Sequence, residues 1–465
     1  MEATLKNKPA PAENIMGTMQ VNKLILKLSV PMMISMMVQA LYNVVDSIFV
    51  ARVSEAALTA VSLTNALQTV MIGVGVGTAV GVNALLSKSL GEKNQDKVNK
   101  TAANGIFLAL CSSAVFMLVA LTLIRPYFAL QTTDAHIARL GEEYAFIVCF
   151  FSQGFFASVM LEKLLSATGK TGYTMVSQLA GAVTNIVLDP IFIFGYAGEW
   201  CSGVRGAAIA TVLGQFVATG VGLFLNLRVN KEVQFKLRGF RPDLPSIRRI
   251  YKVGAPSIAM QCVGSVMNFG LNRILMGFSS TAVAVFGVYF KLQSFVFMPL
   301  FGMNSGLVPI MGYNYGARRP DRLVDTLKWG VIYAEILMCS GLALFQLAPN
   351  TLLSMFAASP EMQTIGVAAL RTVSLSFPVA GVCIIFSSSF QALGQGMYSL
   401  YMSLARQIVV LLPAAYLLSL SGKVALVWWA FPLAEVASVI MAIGFMYRAQ
   451  RQIIQPLYKE RKNQG

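Results

Sequence analysis

The sequence predicts an all-α membrane protein of about twelve transmembrane helices in two pseudo-symmetric six-helix bundles. Three observations predict it. Hydrophobic residues make up 56% of the chain and charged residues only 12%, where a soluble domain carries roughly a quarter charged residues. Apolar stretches long enough to cross about 30 Å of hydrocarbon, roughly 20 residues each, recur along nearly the whole chain. The sequence also repeats itself at an offset of 225 residues.

Taken in order, the predicted spans are 25–50, 57–87, 101–124, 140–166, 172–198, 205–228, 250–277, 280–311, 323–348, 365–392, 397–420 and 424–447. They are continuous apolar runs without period-two alternation, which excludes a transmembrane β-barrel. Glycine within them, as at Gly73, Gly75, Gly77 and Gly81, suits close helix packing in lipid. With loops assigned to alternate sides, 27 of the 36 Lys and Arg fall on the side of the amino terminus. Only Arg52, Arg125, Arg139, Arg205 and Lys423 fall opposite, and Arg273, Lys291, Arg371 and Arg406 lie inside spans. The positive-inside rule then puts both termini in the cytoplasm. The net charge of +16 is thereby a topology signal and calls for no nucleic-acid partner. The partner expected from this topology is the bilayer, with the chain acting as a monomer.

The repeat aligns Pro31 with Pro256, Asn43 with Asn268, Gly77 with Gly302, Gly81 with Gly306, Gly91 with Gly316, Gly169 with Gly394 and Tyr173 with Tyr398. Six helices per half is an even number, so the halves enter from one face and are related by an axis along the membrane normal. The expected organisation is an amino-terminal segment (1–24), a first lobe (25–228), a basic linker containing Pro242 and Pro245 (229–249), a second lobe (250–447) and a tail (448–465). The amino-terminal residues lack an apolar signal region, so no cleaved leader is expected. Cys111, Cys149, Cys201, Cys262, Cys339 and Cys383 show no ligand spacing and are read as small hydrophobes outside any disulfide.

A carboxylate inside a bilayer is costly and needs a partner, a proton or water, so each one marks a candidate site. Asp46 lies in the first span, with Tyr42 and Asn43 a turn earlier; Asp189 lies in the fifth, with Asn185 one turn before it and Pro190 after it; Glu162 lies in the fourth. Their counterparts 225 residues later are Leu271, Ala414 and Ser387, so ionisable chemistry is expected in the first lobe alone. An interhelical hydrogen bond that merely fastens the bundle is the structural alternative. Burial and a second nearby acid both disfavour the charged carboxylate, so Asp46 or Asp189 can take up a proton; with Asn and Thr oxygens the same acids can hold Na⁺. The coupling ion is left as H⁺ or Na⁺, and no cofactor or structural metal is expected. Pro31 removes a mid-helix hydrogen bond and allows the first span to bend. Lys291 and Arg273 are cations at membrane depth in the second lobe, and Met32, Met33, Met36, Met37, Phe295 and Phe297 suit a deformable apolar pocket. The sole histidine, His136, is assigned to an outer loop, and no phosphate-binding GxxxxGK[ST] segment is present.

Pro31 through Gln39 to Tyr42-Asn43-Val44-Val45-Asp46, Asn185-Ile186-Val187-Leu188-Asp189-Pro190, Gly206-Ala207-Ala208-Ile209-Ala210-Thr211 and Tyr315-Gly316-Ala317 together resemble the multidrug and toxic compound extrusion (MATE) family along essentially the whole chain. The resemblance implies a V-shaped pair of lobes and cation-driven antiport of organic cations and amphiphiles. It implies that Asp46, Asn185, Asp189 and Thr211, with Tyr42, form the cation site, possible for Na⁺, and that Pro31 is the hinge. It further implies that Glu162, with Asp189, Gln39 and Asn43, meets substrate, as in the bacterial drug-exporter branch. Some family members carry acids in the seventh and tenth helices; here those spans have none, so no second-lobe cation site is expected. A lipid-linked precursor flippase of related fold and a membrane-embedded enzyme are the rival functions. The first would want a strongly cationic cavity, and the second finds no His or Cys cluster to work with.

Overall fold

The computed structural model describes residues 13–196, 198, 202–234, 240–356 and 359–462, and gives no account of the side chains of Ser47 and Ala51. The described residues form helices and no strand. In the first half these are α1 (Ile15–Thr18), α2 (Val21–Val53), α3 (Glu55–Gly91), α4 (Gln95–Thr122), α5 (Ile124–Gln131), α6 (Ala135–Phe150), α7 (Gln153–Ala167), α8 (Thr171–Ile193) and α9 (Gly203–Val229). The second half holds α10 (Leu244–Met276), α11 (Ser280–Gly316), α12 (Pro320–Leu347), α13 (Pro349–Ser354), α14 (Pro360–Ser374), α15 (Phe377–Ala392), α16 (Gly396–Leu404), α17 (Leu412–Ser419), α18 (Val424–Val427), α19 (Ala430–Ala449) and α20 (Gln455–Lys462).

Among the described residues nine helical runs are long and apolar enough to cross a membrane, and the bent pairs α6–α7 (46°) and α14–α15 (48°) raise the number to eleven. The remaining predicted span is α10, which has the length, 33 residues, but carries Arg248, Arg249 and Lys252 in its first turns and Gln261 and Asn268 farther along. Large apolar side chains such as Leu118, Val183, Phe269 and Ile440 are exposed on the chain by itself, as a lipid-facing surface requires. A π-helical turn over Ala405–Leu411 joins α16 to α17 just before Pro413. Proline supplies no N–H to the ladder, and a widened turn is one way a helix absorbs the loss.

The 225-residue repeat is written into the backbone. Ser54 caps α3 by accepting from the Ala57 N–H at 3.0 Å, and Ser279 caps α11 by accepting from Ala282 at 3.1 Å. The turns that follow these helices place Lys93 (φ 54°) and Arg318 (φ 53°) in the left-handed region, at a cost of roughly 1–2 kcal/mol for a residue with a Cβ. Two such turns at equivalent places point to one conformation selected twice.

Each lobe lends a helix to the other. Val21, Leu24, Ile25 and Leu28 of α2 are buried in the core of the second half, with Leu300 and Leu307 of α11. Beyond Pro31, α2 turns to α8 of its own half, through Ser35 and Gln178. Reciprocally, Ile250 of α10 lies in the first core while Leu271 and Leu275 lie in the second, with Pro256 between. The repeated prolines thus stand where a helix passes from one lobe to the other.

The lobes meet most closely in the half that carries α1 and α20. A Cβ on Gly91 would lie 1.9 Å from the Tyr313 carbonyl oxygen, and one on Gly316 2.0 Å from that of Lys88. Only hydrogen fits at that crossing of α3 and α11. Residues 14–19 lie over it. Asn14 Nδ2 donates to the Thr168 carbonyl of the first lobe at 3.0 Å, whereas Asn314 and Arg322 of the second lobe donate to the Met16 carbonyl at 3.1 and 3.0 Å, and Arg322 donates to Met19 at 2.7 Å. Met16 is fully buried beneath these contacts.

Candidate functional site

Helices α2 and α8 run side by side in the same direction, and their polar residues match layer for layer. On α2 the stripe is Ser35, Tyr42 and Asp46; on α8 it is Gln178, Asn185 and Asp189. Steps of seven and four residues keep each stripe on one helical face. Ser35 bonds to Gln178, 143 residues away, and Asp46 faces Asp189 at the same separation. The two stripes therefore face each other across the helix pair, tied at the Ser35 end.

At one end two carboxyl groups face each other, and like charges at such a place disfavour ionising both. Asp189 is completely buried, while the Oδ1 of Asp46 has no partner. Asn185 stands 3.3 Å from Asp189 Oδ1 and 3.4 Å from the Thr211 hydroxyl of α9. With its amide turned to satisfy both ends, nitrogen donates to Asp189 Oδ2 at 3.2 Å and oxygen accepts from the Thr211 N–H at 3.2 Å. Tyr42 faces both acids. The pair has no basic partner among the described residues, so its charge has to be met by a proton or a small cation. The oxygens of Asp46, Asp189, Asn185 and Thr211 suit Na⁺ in kind.

Glu162 forms the other end. It is 8% exposed, and its carboxylate accepts from Gln178 Nε2 at 2.8 Å, so Ser35, Gln178 and Glu162 make one chain of bonds from α2 to α7. Its neighbour Lys163 reaches Ser305 of the second lobe at 3.5 Å. Gln39 and Asn43 lie beside this stripe on the exposed side of α2, and Lys291 and Arg273 are exposed on α11 and α10. Met32 and Phe297 belong to the core, whereas Met37 and Phe295 are exposed. Cys201 lies outside the described residues; the other five cysteines are free thiols. His136 is exposed in the first turn of α6.

Sequence reasoning missed Ser35 and Gln178, which a comparison of spacing along the first and fifth spans would have found. It also missed Tyr144 of α6, buried close to Asp46, Tyr42 and Asp189 and held by Gln68 at 3.4 Å. The expectation of acids in the first lobe alone is corrected by the structure. Glu435 of α19 is 8% exposed and pairs with Arg406 of the π-helical turn at 3.1 Å, and Glu335 of α12 is half-buried. Tracking only the counterparts of first-lobe acids hides an acid that arose in the second lobe, and one charge in a long apolar span barely alters its character.

The MatE family model matches residues 31–191 and 256–417, one stretch in each half. The multidrug export protein MepA of Staphylococcus haemolyticus (strain JCSC1435) is 24% identical over 444 residues, covering 93% of this chain and 94% of that protein. The protein of the same name from Staphylococcus aureus (strain bovine RF122 / ET3-1) is 24% identical over 427 residues, 91% and 93% of the two chains. A crystal structure of MATE in complex with MaL6 superposes with a TM-score of 0.89 at 25% identity, over 97% of this chain and 100% of that one. The outward-facing conformation of a multidrug resistance MATE family transporter of the MOP superfamily also gives 0.89 at 25% identity, over 96% and 99%.

Proposed function

The chain belongs to the MatE family of membrane transporters, and from that premise we propose that it is a cation-driven antiporter exporting cationic and amphiphilic organic compounds by alternating access. The observation that carries this reading is the Asp46–Asp189 carboxyl pair between α2 and α8, with Asp189 buried and Asp46 half-buried, and no basic partner among the described residues. Occupied by H⁺ or Na⁺, the pair is neutralised; empty, it holds negative charge that draws a cationic compound. If cation and drug favour opposite lobe arrangements, the inward cation gradient drives drug outward. Multidrug export in the related MepA proteins supports the substrate class.

The excess of Lys and Arg on the termini's side supports a bacterial inner-membrane protein with both termini cytoplasmic. With that orientation the conformation described is closed toward the cytoplasm at Gly91 and Gly316. One chain supplies both lobes, which supports a monomer as the working unit. Glu162, Gln39 and Asn43 are the further groups we assign to substrate, Glu162 once Gln178 releases it.

The test is ethidium efflux from liposomes holding the purified protein, under an imposed pH gradient and separately under an imposed Na⁺ gradient. Efflux should follow one gradient, and Asp46→Asn and Asp189→Asn should each reduce it to the leak of empty vesicles. Gradient-driven efflux that survives both substitutions would discard the reading.

A further inference from the structure

The second lobe carries its own buried charge cluster where its chain corresponds to the first-lobe site. At an offset of 224 residues Ala210-Thr211-Val212 aligns with Ala434-Glu435-Val436, so Glu435 stands where Thr211 stands; at 225, Arg406 stands where Gly181 does, one turn before Asn185. In the first lobe Gly181 lets α8 lie against α9, a Cβ there meeting the Gly214 carbonyl at 2.9 Å. In the second lobe the equivalent helices are held by a side chain instead. Arg406 Nη1 donates to Glu435 Oε1 at 3.1 Å, with Arg406 on the π-helical turn and Glu435 11% exposed in its side chain. The titratable groups facing the pair are Tyr289 of α11 and Cys383 of α15, both buried. Neither brings a positive charge, and Glu435 Oε2 has no partner.

We propose that Arg406 is a tethered counter-cation: it fills in the second lobe the place that a mobile H⁺ or Na⁺ takes in the first, so this lobe keeps one charge state throughout and adds no exchangeable cation. Asp46 and Asp189 have no such arginine and must recruit their positive charge. The π-helical turn has a purpose in this arrangement, since a widened turn lets a long side chain leave the helix toward a neighbour packed close by. Arg406 is a positioning residue, acting through Glu435 and outside any contact with cargo.

The comparison with the first-lobe site rests on the coupling reading above, and the test is built to be independent of transport. Purified full-length protein carrying Asp46→Asn and Asp189→Asn, which silence the first-lobe pair, is unfolded by heat across a pH series, with NaCl or choline chloride. Into this background go Arg406→Gln, Arg406→Lys, Glu435→Gln and the Arg406→Gln/Glu435→Gln double change. Arg406→Gln should create a new cation dependence. Glu435 then needs H⁺ or Na⁺ to fold, and stability falls as pH rises, up to tenfold in the folding constant per unit for one linked proton, or rises with Na⁺. Adding Glu435→Gln should abolish that dependence, because a neutral pair asks for no cation. Arg406→Lys and Glu435→Gln should retain the background profile, which guards against a single variant that fails to fold. Two results overturn the proposal: identical pH and Na⁺ profiles for Arg406→Gln and the double change, or a cation-dependent stabilisation in the background that Glu435→Gln alone removes. Loss of the transport reading would leave either outcome readable.

Discussion

Gln178 joins two roles that the sequence keeps apart. Its nitrogen satisfies Glu162 at 2.8 Å and its oxygen accepts from Ser35, one turn beyond Pro31. Ser35→Ala removes one hydrogen bond and should cost about 1 kcal/mol. Gln178→Leu leaves a buried carboxylate without its donor and should cost more, about 1–3 kcal/mol. Thermal unfolding of the two variants checks the order; equal losses would mean that Glu162 draws its stability from elsewhere. Asp46, Asn185 and Asp189 were legible because an acid in an apolar run is conspicuous. Ser35 and Gln178 were not, because uncharged polar residues are common in packed transmembrane helices and become a site only once the register of α2 against α8 is known.

At the scale of elements, the 225-residue repeat paired residues whose shared roles only the structure shows. It paired Pro31 with Pro256 and Gly91 with Gly316, and the structure shows the first pair where helices cross between lobes and the second where α3 and α11 touch backbone to backbone. The bends at α6–α7 and α14–α15 and the π-helical turn were invisible to it. They change how a helix is pointed and wound without changing how apolar it is. The glycine crossing makes a definite demand. A Cβ 1.9 Å from a carbonyl oxygen falls far short of the roughly 3.3 Å of ordinary C···O contact, so Gly91→Val should force the seam apart by about 1 Å or more. Spin labels on Lys93 and Arg318, on the two equivalent turns, should report a longer distance in the variant; an unchanged distribution would show that the seam yields elsewhere.

For the whole molecule, the residues before α2 act as a tie across the seam, and the two sides of the tie are unequal. Asn314 and Arg322 fasten Met16 and Met19 to the second lobe with three hydrogen bonds, and Arg319 adds its bond to the Gly17 carbonyl. The first lobe answers with one, from Asn14 to Thr168 at 3.0 Å, and with Met16 beside Gly169, where a Cβ would lie 3.4 Å from the Met16 side chain. The start of α2 is buried in the second core as well. When the lobes part on this side, the segment should therefore stay with the second lobe and release Thr168. One hydrogen bond is worth about 1 kcal/mol net, or roughly fivefold in a two-state population. Asn14→Asp separates this role from helix capping. It keeps the oxygen that accepts from the Met16 N–H and loses the donor to Thr168. The labels on Lys93 and Arg318 should then show the separated population enlarged about fivefold, with Asn14→Ala enlarging it at least as much. If Asn14→Asp matches the unaltered protein while deletion of residues 1–19 does not, the tie to the first lobe is made by Met16 packing and the hydrogen bond is incidental.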